Sequence, residues 1–181
     1  AAAGMIGGAG SDTLSGGGTP SGMGVQTTGA YVVKAMMAGG FTQDEAIAIA
    51  ANMGAESRFR TFIEGDNGKA NGLMQWNDRL PRLKQFAKDR GKSPWDLETQ
   101  LDYTAWELRG PEASNFSKAM GGSTIADKTI GFALQVERPG ILNREGRLQQ
   151  ARNVAKAVGS GDIGTNSMYA AGTGAYDMMA A

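Results

Sequence analysis

Between residues 26 and 158 the apolar positions recur at helical spacing, with little of the alternation that builds a sheet. The run "YVVKAMMA" at 31–38 is closed by Gly39 and Gly40, which predicts a short helix with a glycine stop. Thr42 followed three residues later by Glu45 has the pattern of a capping box, and Phe41 before it that of a hydrophobic staple. The helix they open is expected from about Gln43 to Glu56. Leu80, Leu83 and Phe86 predict another, stopped at Gly91. Ser93 and Pro94 are expected to open the next, with Leu97, Leu101, Thr104 and Leu108 on one face and a stop at Gly110 and Pro111. Two more helical stretches are expected at 112–120 and 124–138, the second stopped by Pro139, and Asn143 caps a last one with Leu148, Ala151 and Val158 inward. The stretch around "EGDNGKANGLMQW" is too rich in Gly and Asn for a helix, so an irregular or β-hairpin excursion is expected near residues 57–78. The fold class is therefore mainly α.

Composition divides the chain into three parts. All 18 Lys and Arg lie between Lys34 and Lys156, and only Asp12, Asp162 and Asp177 among the 18 acids lie outside that window, so the window carries a small positive excess. The first 24 residues hold 9 Gly, and the tail "GSGDIGTNSMYAAGTGAYDMMAA" is similar. Such segments bury too little apolar surface to offset chain entropy. Residues 1–25 and 159–181 are thus expected to be flexible linkers around a domain at 26–158, and the whole a segment of a larger polypeptide. Cys and His are both absent, which removes disulfides, thiol nucleophiles, His-based triads and His/Cys zinc sites. No cofactor or metal is expected, and chemistry is left to carboxylates, hydroxyls, amides, Lys and Arg. A run of about 18 apolar residues is also missing, so no membrane insertion by this segment is expected.

One carboxylate breaks the apolar pattern. On the helix from Gln43 the inward steps fall on Ala46, Ile49, Met53 and then Glu56. Desolvation at the end of an apolar stripe and the dipole at a helix C-terminus both favour the protonated form of such a group. A carboxylic acid kept neutral near physiological pH is a proton donor suited to breaking a glycosidic bond. The structural alternative is a last-turn Glu turned outward, or a buried partner of Arg58 or Arg60.

The motif "AESRF" at 55–59 followed by "GLMQ" at 72–75 resembles the leading motifs of the lytic transglycosylase and goose-type lysozyme superfamily. The wider pattern, "GGFTQDEAIAIAANMGAESRFR", "GDNGKANGLMQWNDR", "LDYTAWEL" and "VERPG" in order, resembles the phage tail lysozyme family over about residues 26–157. The resemblance implies a lysozyme-like helical domain in which Glu56 is the catalytic acid and the adjacent Ser57 orients it. It also implies that Gly72, Leu73, Met74, Gln75 and Trp76 line the sugar cleft, Gln75 offering an amide to acetamido groups and Trp76 a flat face to a ring. Asp66 in "EGDNG" matches a Gly-Asp-x-Gly position and is the candidate second carboxylate, with Glu64 as competitor and a plain turn role open to both. Tyr103 reads more readily as core than as cleft. Glu137, in "QVERPG", is expected near the cleft, supporting Glu56 or paired with an Arg, Arg138 among them. The Ala-Tyr-Asn-x-Gly motif of lytic transglycosylases is absent, which leaves hydrolase and transglycosylase both open.

The function this implies is a virion-associated, peptidoglycan-degrading glycosidase, acting at the host wall or periplasm beside other phage virion or tail proteins. The alternative is a catalytically silent, lysozyme-fold structural or glycan-binding module. A nucleic-acid partner is not expected, because Glu137 and Glu145 interrupt the face that Arg138, Arg144, Arg147 and Arg152 would need to share.

Overall fold

The computed structural model describes residues 25–63 and 69–164. Among these the architecture is helical: α1 (Gly29–Ala38), α2 (Gln43–Ser57), α3 (Leu80–Asp89), α4 (Leu97–Arg109), α5 (Ala113–Ala119), α6 (Ile125–Phe132) and α7 (Arg144–Ala157). Helix α2 is the centre, packed against α1, α6 and α7. Its capping box is complete: the Glu45 N–H donates to Thr42 Oγ1 at 3.3 Å, and the Thr42 N–H to Glu45 Oε2 at 2.8 Å. Ala46 to Gly54 are all buried, so α2 has no wet face, as befits a helix that is apolar all round. Glu56 is where this buried rod emerges.

Small residues let the neighbours come close. A Cβ on Gly54 would sit 2.7 Å from Phe59 Cζ and 2.9 Å from Gln150 Oε1, so only glycine admits both the chain leaving α2 and the flank of α7. That chain leaves through two consecutive left-handed residues, Arg58 at φ 53 and Phe59 at φ 60. The Arg58 N–H closes the helix on the Gly54 carbonyl at 3.0 Å.

Two helix boundaries differ from the expected ones. Helix α4 begins at Leu97, because Ser93 and Asp96 close a turn of their own. The Ser93 N–H donates to Asp96 Oδ2 and the Asp96 N–H to the Ser93 carbonyl, both at 3.3 Å, in the side-chain competition that keeps such residues out of helices. The helix expected over 124–138 is α-helical only to Phe132. Ala133–Glu137 is a π-helical turn, fixed by a 2.7 Å bond from the Arg138 N–H to the Ala133 carbonyl and ended by Arg138 at φ 53. Nothing in an apolar spacing specifies the extra residue of a π turn, and such turns are frequent at functional sites.

The excursion after α2 contains no strand among the described residues. Isolated antiparallel bridges pair Gln26 with Arg60 and Asn71 with Trp76, the second closing a tight loop in which the Gln75 N–H donates to the Gly72 carbonyl at 3.1 Å. Packed chain also runs past the expected domain limits. The Val25 N–H donates to Thr61 Oγ1 at 2.8 Å, and Ile163 is buried with its carbonyl accepting from the Ala126 N–H at 3.0 Å. No helix among the described residues is long and apolar enough to cross a membrane.

The 70–79 loop is anchored by one buried acid. Glu107 of α4 accepts from Trp76 Nε1 at 3.1 Å, Arg79 Nη1 at 3.1 Å and the Tyr103 hydroxyl at 2.8 Å. Burial and the Glu107 charge push the Tyr103 phenol up, so it stays a neutral donor. Edge-on aromatic contacts of Tyr103 with Trp76 and Phe86, at 5.4 and 5.3 Å, complete the knot. Replacing Glu107 with Ala leaves Arg79 buried without its counter-ion, and urea unfolding is expected to register a loss of about 3–5 kcal/mol.

Candidate active site

Glu56 occupies the last turn of α2, its side chain 23% exposed, on a cleft of about 580 Å³. The cleft is bounded by the 70–79 loop, which presents Met74, Gln75, Asn77 and Asp78, and by Arg138, Pro139 and Gly140 after the π turn. Glu137, the last residue of that turn, brings a second carboxyl to the same cavity. Its side chain is only 4% exposed.

A single guanidinium joins the two acids. Arg147, in the first turn of α7 and 4% exposed, gives Nη2 to Glu56 Oε1 and Nη1 to Glu137 Oε2, the latter at 3.1 Å. Nη1 also donates to Asn52 Oδ1. Asn52 is wholly buried in α2, and its amide nitrogen donates to the Ala48 and Thr129 carbonyls at 2.8 and 3.0 Å. With the nitrogen so committed, the Asn52 oxygen must face Arg147. Two negative groups therefore share one positive group in a nearly dry space. Burial pushes the Glu137 carboxyl well above the usual carboxylate range; Arg147 opposes the shift, while the Glu56 charge and a hydrogen bond with Glu56 add to it.

The expected site residues divide. Glu56, Met74, Gln75 and Glu137 are brought together around the cleft. Burial raises the Glu137 carboxyl, and the partner of Glu56 is Arg147 rather than Arg58 or Arg60. Arg138 does not pair with Glu137; its guanidinium lies 3.3 Å from Glu112. Hydrogen bonds from Asn115 and Arg138 hold the Glu112 carboxyl low against a burial that raises it. The sugar platform expected at Trp76 is corrected: its ring is fully buried with Nε1 on Glu107, so no face is open to a ring. Tyr103 and Leu73 are likewise core, and the Leu73 N–H is held by Gln100 Oε1 at 2.9 Å. Ser57 does not orient Glu56, because its hydroxyl donates to the Met53 carbonyl one turn back at 2.9 Å. Gly72 serves the loop: at φ +85, with a Cβ that would meet the Trp76 ring at 2.8 Å, it admits no other residue without strain. Asp66 and Glu64 lie outside the described residues.

Gln75 is held unusually. Its backbone is left-handed at φ 45, and its amide nitrogen donates to the Ile63 and Gly72 carbonyls at 2.8 and 3.2 Å. The group it offers a ligand is therefore its carbonyl oxygen, an acceptor for a hydroxyl or an acetamido N–H. Arg147, Asn52, Arg79 and Asp78 were not foreseen as site residues. The one visible signal was Asn52, a polar side chain inside "AIAIAANMGAES" that requires a buried partner. The basic face considered for nucleic acid loses Arg147 to the interior, and Arg152 pairs with Glu145.

Among the described residues the fold is that of a lysozyme-like helical domain, its central helix ending in an acid on a polar cleft. The chain matches the phage tail lysozyme family over residues 27–158 and belongs to that family. Among individually curated proteins no significant match is found. Membership implies a lysozyme-like, peptidoglycan-degrading function in a phage virion setting.

The raised Glu137 pKa has a consequence for stability. A carboxyl that titrates higher in the folded than in the unfolded chain contributes stability in full below its unfolded value of about 4.3, and that stability is lost as pH rises through the folded value. Thermal unfolding is expected to show Glu137→Gln gaining stability relative to wild type as pH rises from about 4 towards neutral.

Proposed function

We propose that this cleft cleaves the β-1,4 bond between N-acetylmuramic acid and N-acetylglucosamine, with Glu56 as the proton donor. The observation that carries this reading is the position of Glu56: a carboxyl fixed by a buried guanidinium, yet open to a cleft floored by Met74 and Gln75. Met74 is core beneath the cleft at 2% exposure, and the Gln75 oxygen with Asn77 supplies polar groups for acetamido and hydroxyl recognition. About 580 Å³ falls in the range that encloses small organic ligands. Glu56 protonates the glycosidic oxygen as the bond to C1 breaks, and the same carboxylate then takes a proton from the attacking hydroxyl.

Asp66 is proposed as the group facing the sugar from the other side, with Glu64 as its competitor. The chain enters and leaves residues 64–68 beside the cleft, since the Ile63 carbonyl holds Gln75 and Ala70 lines the cavity. Attack by water gives a reducing end; attack by the sugar's own 6-hydroxyl gives an anhydro end. In the virion the activity opens the wall locally for the tail or the genome. The ion pair between Glu56 and Arg147 also suits a second reading, a silent lysozyme-fold module that keeps the pair for stability.

Zymography on purified peptidoglycan separates the two. Glu56→Gln is expected to lower the rate by about 10²–10⁴-fold with the fold retained. Clearing at the wild-type rate by Glu56→Gln would sink the enzymatic reading. Mass spectrometry of the released muropeptides then assigns the attacking hydroxyl from reducing or anhydro ends.

A further inference from the structure

Glu137 is a buried acid to which the cleavage step by Glu56 gives no role. It is also the residue that the π turn delivers to the cavity. It lies against Glu56, shares Arg147 with it, and has Oε1 buried without any hydrogen-bond partner. A buried carboxylate oxygen lacking a donor is costly, whereas a neutral carboxyl tolerates it better. Charge counting points the same way: two ionised acids on one guanidinium leave a net negative charge in a nearly dry space, and one bound proton removes it.

We propose that Glu137 is a positioning residue for Glu56, the two carboxyls holding one proton between them across the Arg147 guanidinium. The proposal rests on Glu56 being the acid that cleaves the glycosidic bond. With the proton on Glu137, the negative charge sits on Glu56 beside Nη2; with the proton on Glu56, it sits on Glu137 beside Nη1. Arg147 answers either arrangement, so the shift of the proton moves no net charge out of the pocket. In the cleavage step the Glu56 O–H bond breaks and the proton passes to the glycosidic oxygen, which keeps the electron pair of the breaking C1–O bond. Both carboxylates then rest on Arg147 until the attacking hydroxyl returns a proton to the pair.

Arg147 and Glu56 are the charged groups placed against Glu137. Arg147 approaches from α7 and Glu56 from α2, with the neutral Asn52 beside it. Arg138, next in the chain, is turned to Glu112 at the start of α5. From α6 the Thr129 carbonyl fixes Asn52. On the cleft side stand Asp78 and Arg79, the latter tied to Glu107.

The test is the pH profile of peptidoglycan cleavage by the full chain and by Glu137→Gln, with Glu56→Gln as the reference. Without the shared proton Glu56 is left ionised beside Arg147 at lower pH, so the alkaline limb is expected to move down by about one unit or more. The variant's rate then falls about tenfold or more at pH 8 and much less near pH 5. A limb that stays in place, whatever the overall rate, overturns the proposal. The wild type supplies a reading independent of any variant's folding: ¹³C NMR of the glutamate carboxyls is expected to show one still protonated near neutral pH, and full ionisation there overturns it as well. An active Glu56→Gln is a different failure, since it removes the acid role itself. An inactive Glu56→Gln with an unshifted Glu137→Gln profile removes only the shared proton.

Discussion

Arg147 is the point on which the site turns. A guanidinium that is 4% exposed needs counter-charges close by, and the two terminal nitrogens of Arg147 draw their partners from remote parts of the chain: Asn52 and Glu56 on α2, and Glu137 on the π turn. Removing one partner of such a buried pair costs about 3–5 kcal/mol, a large part of a domain's net stability. The end of α2, the π turn and the start of α7 are therefore placed relative to one another by the charge they share. The small residues of α2 make the approach possible, since Gly54 leaves room for Gln150 of α7 that any side chain would fill. Glu56 inherits its position from these constraints.

The opposite bank of the cleft hangs on a knot of another kind. Around Glu107 one acid meets one base, Arg79, together with two neutral donors from Trp76 and Tyr103, so the charges balance and the donors are satisfied. Such a cluster has no reason to exchange a proton, and it fixes the loop carrying Met74 and Gln75. The cluster on Arg147 has one acid too many. That excess is what burial converts into a raised carboxyl pKa at Glu137. Charge balance thus distinguishes the knot that holds the loop from the one around Arg147.

Local signals in the sequence were legible where the physics is local. The capping box at Thr42 and Glu45, the stop after Ala38 and the Asn143 cap, whose side chain accepts from the Gly146 N–H at 3.0 Å, each depend on residues within one turn. Glu56 at the end of an apolar run was legible for the same reason. Its environment was not, because Arg147 stands 91 residues away and no spacing announces a partner at that distance. Trp76 misled in an instructive way. An indole beside a cleft-lining Gln suits a sugar platform equally well, and only the buried Glu107, 31 residues on, decides that its nitrogen points inward. The π turn is illegible in principle from apolar spacing, since one inserted residue rotates the later residues to a new face without changing which of them are apolar.

The separation of the two carboxyls constrains what Glu137 can be. Retaining glycosidases place their acids about 5–5.5 Å apart and inverting ones about 6.5–9.5 Å, because a sugar carbon or a water must fit between them. Glu56 and Glu137 are tied to a single guanidinium, and the Glu137 side chain is only 4% exposed. On the proposed reading Glu137 is therefore placed to act on Glu56 rather than on the sugar, and the group facing C1 from the far side is sought elsewhere on the cleft. Asp78 lines that cleft. Burial on the guanidinium that also holds Glu56 sets Glu137 apart from an attacking group, and the same sharing is what lets one proton serve them both.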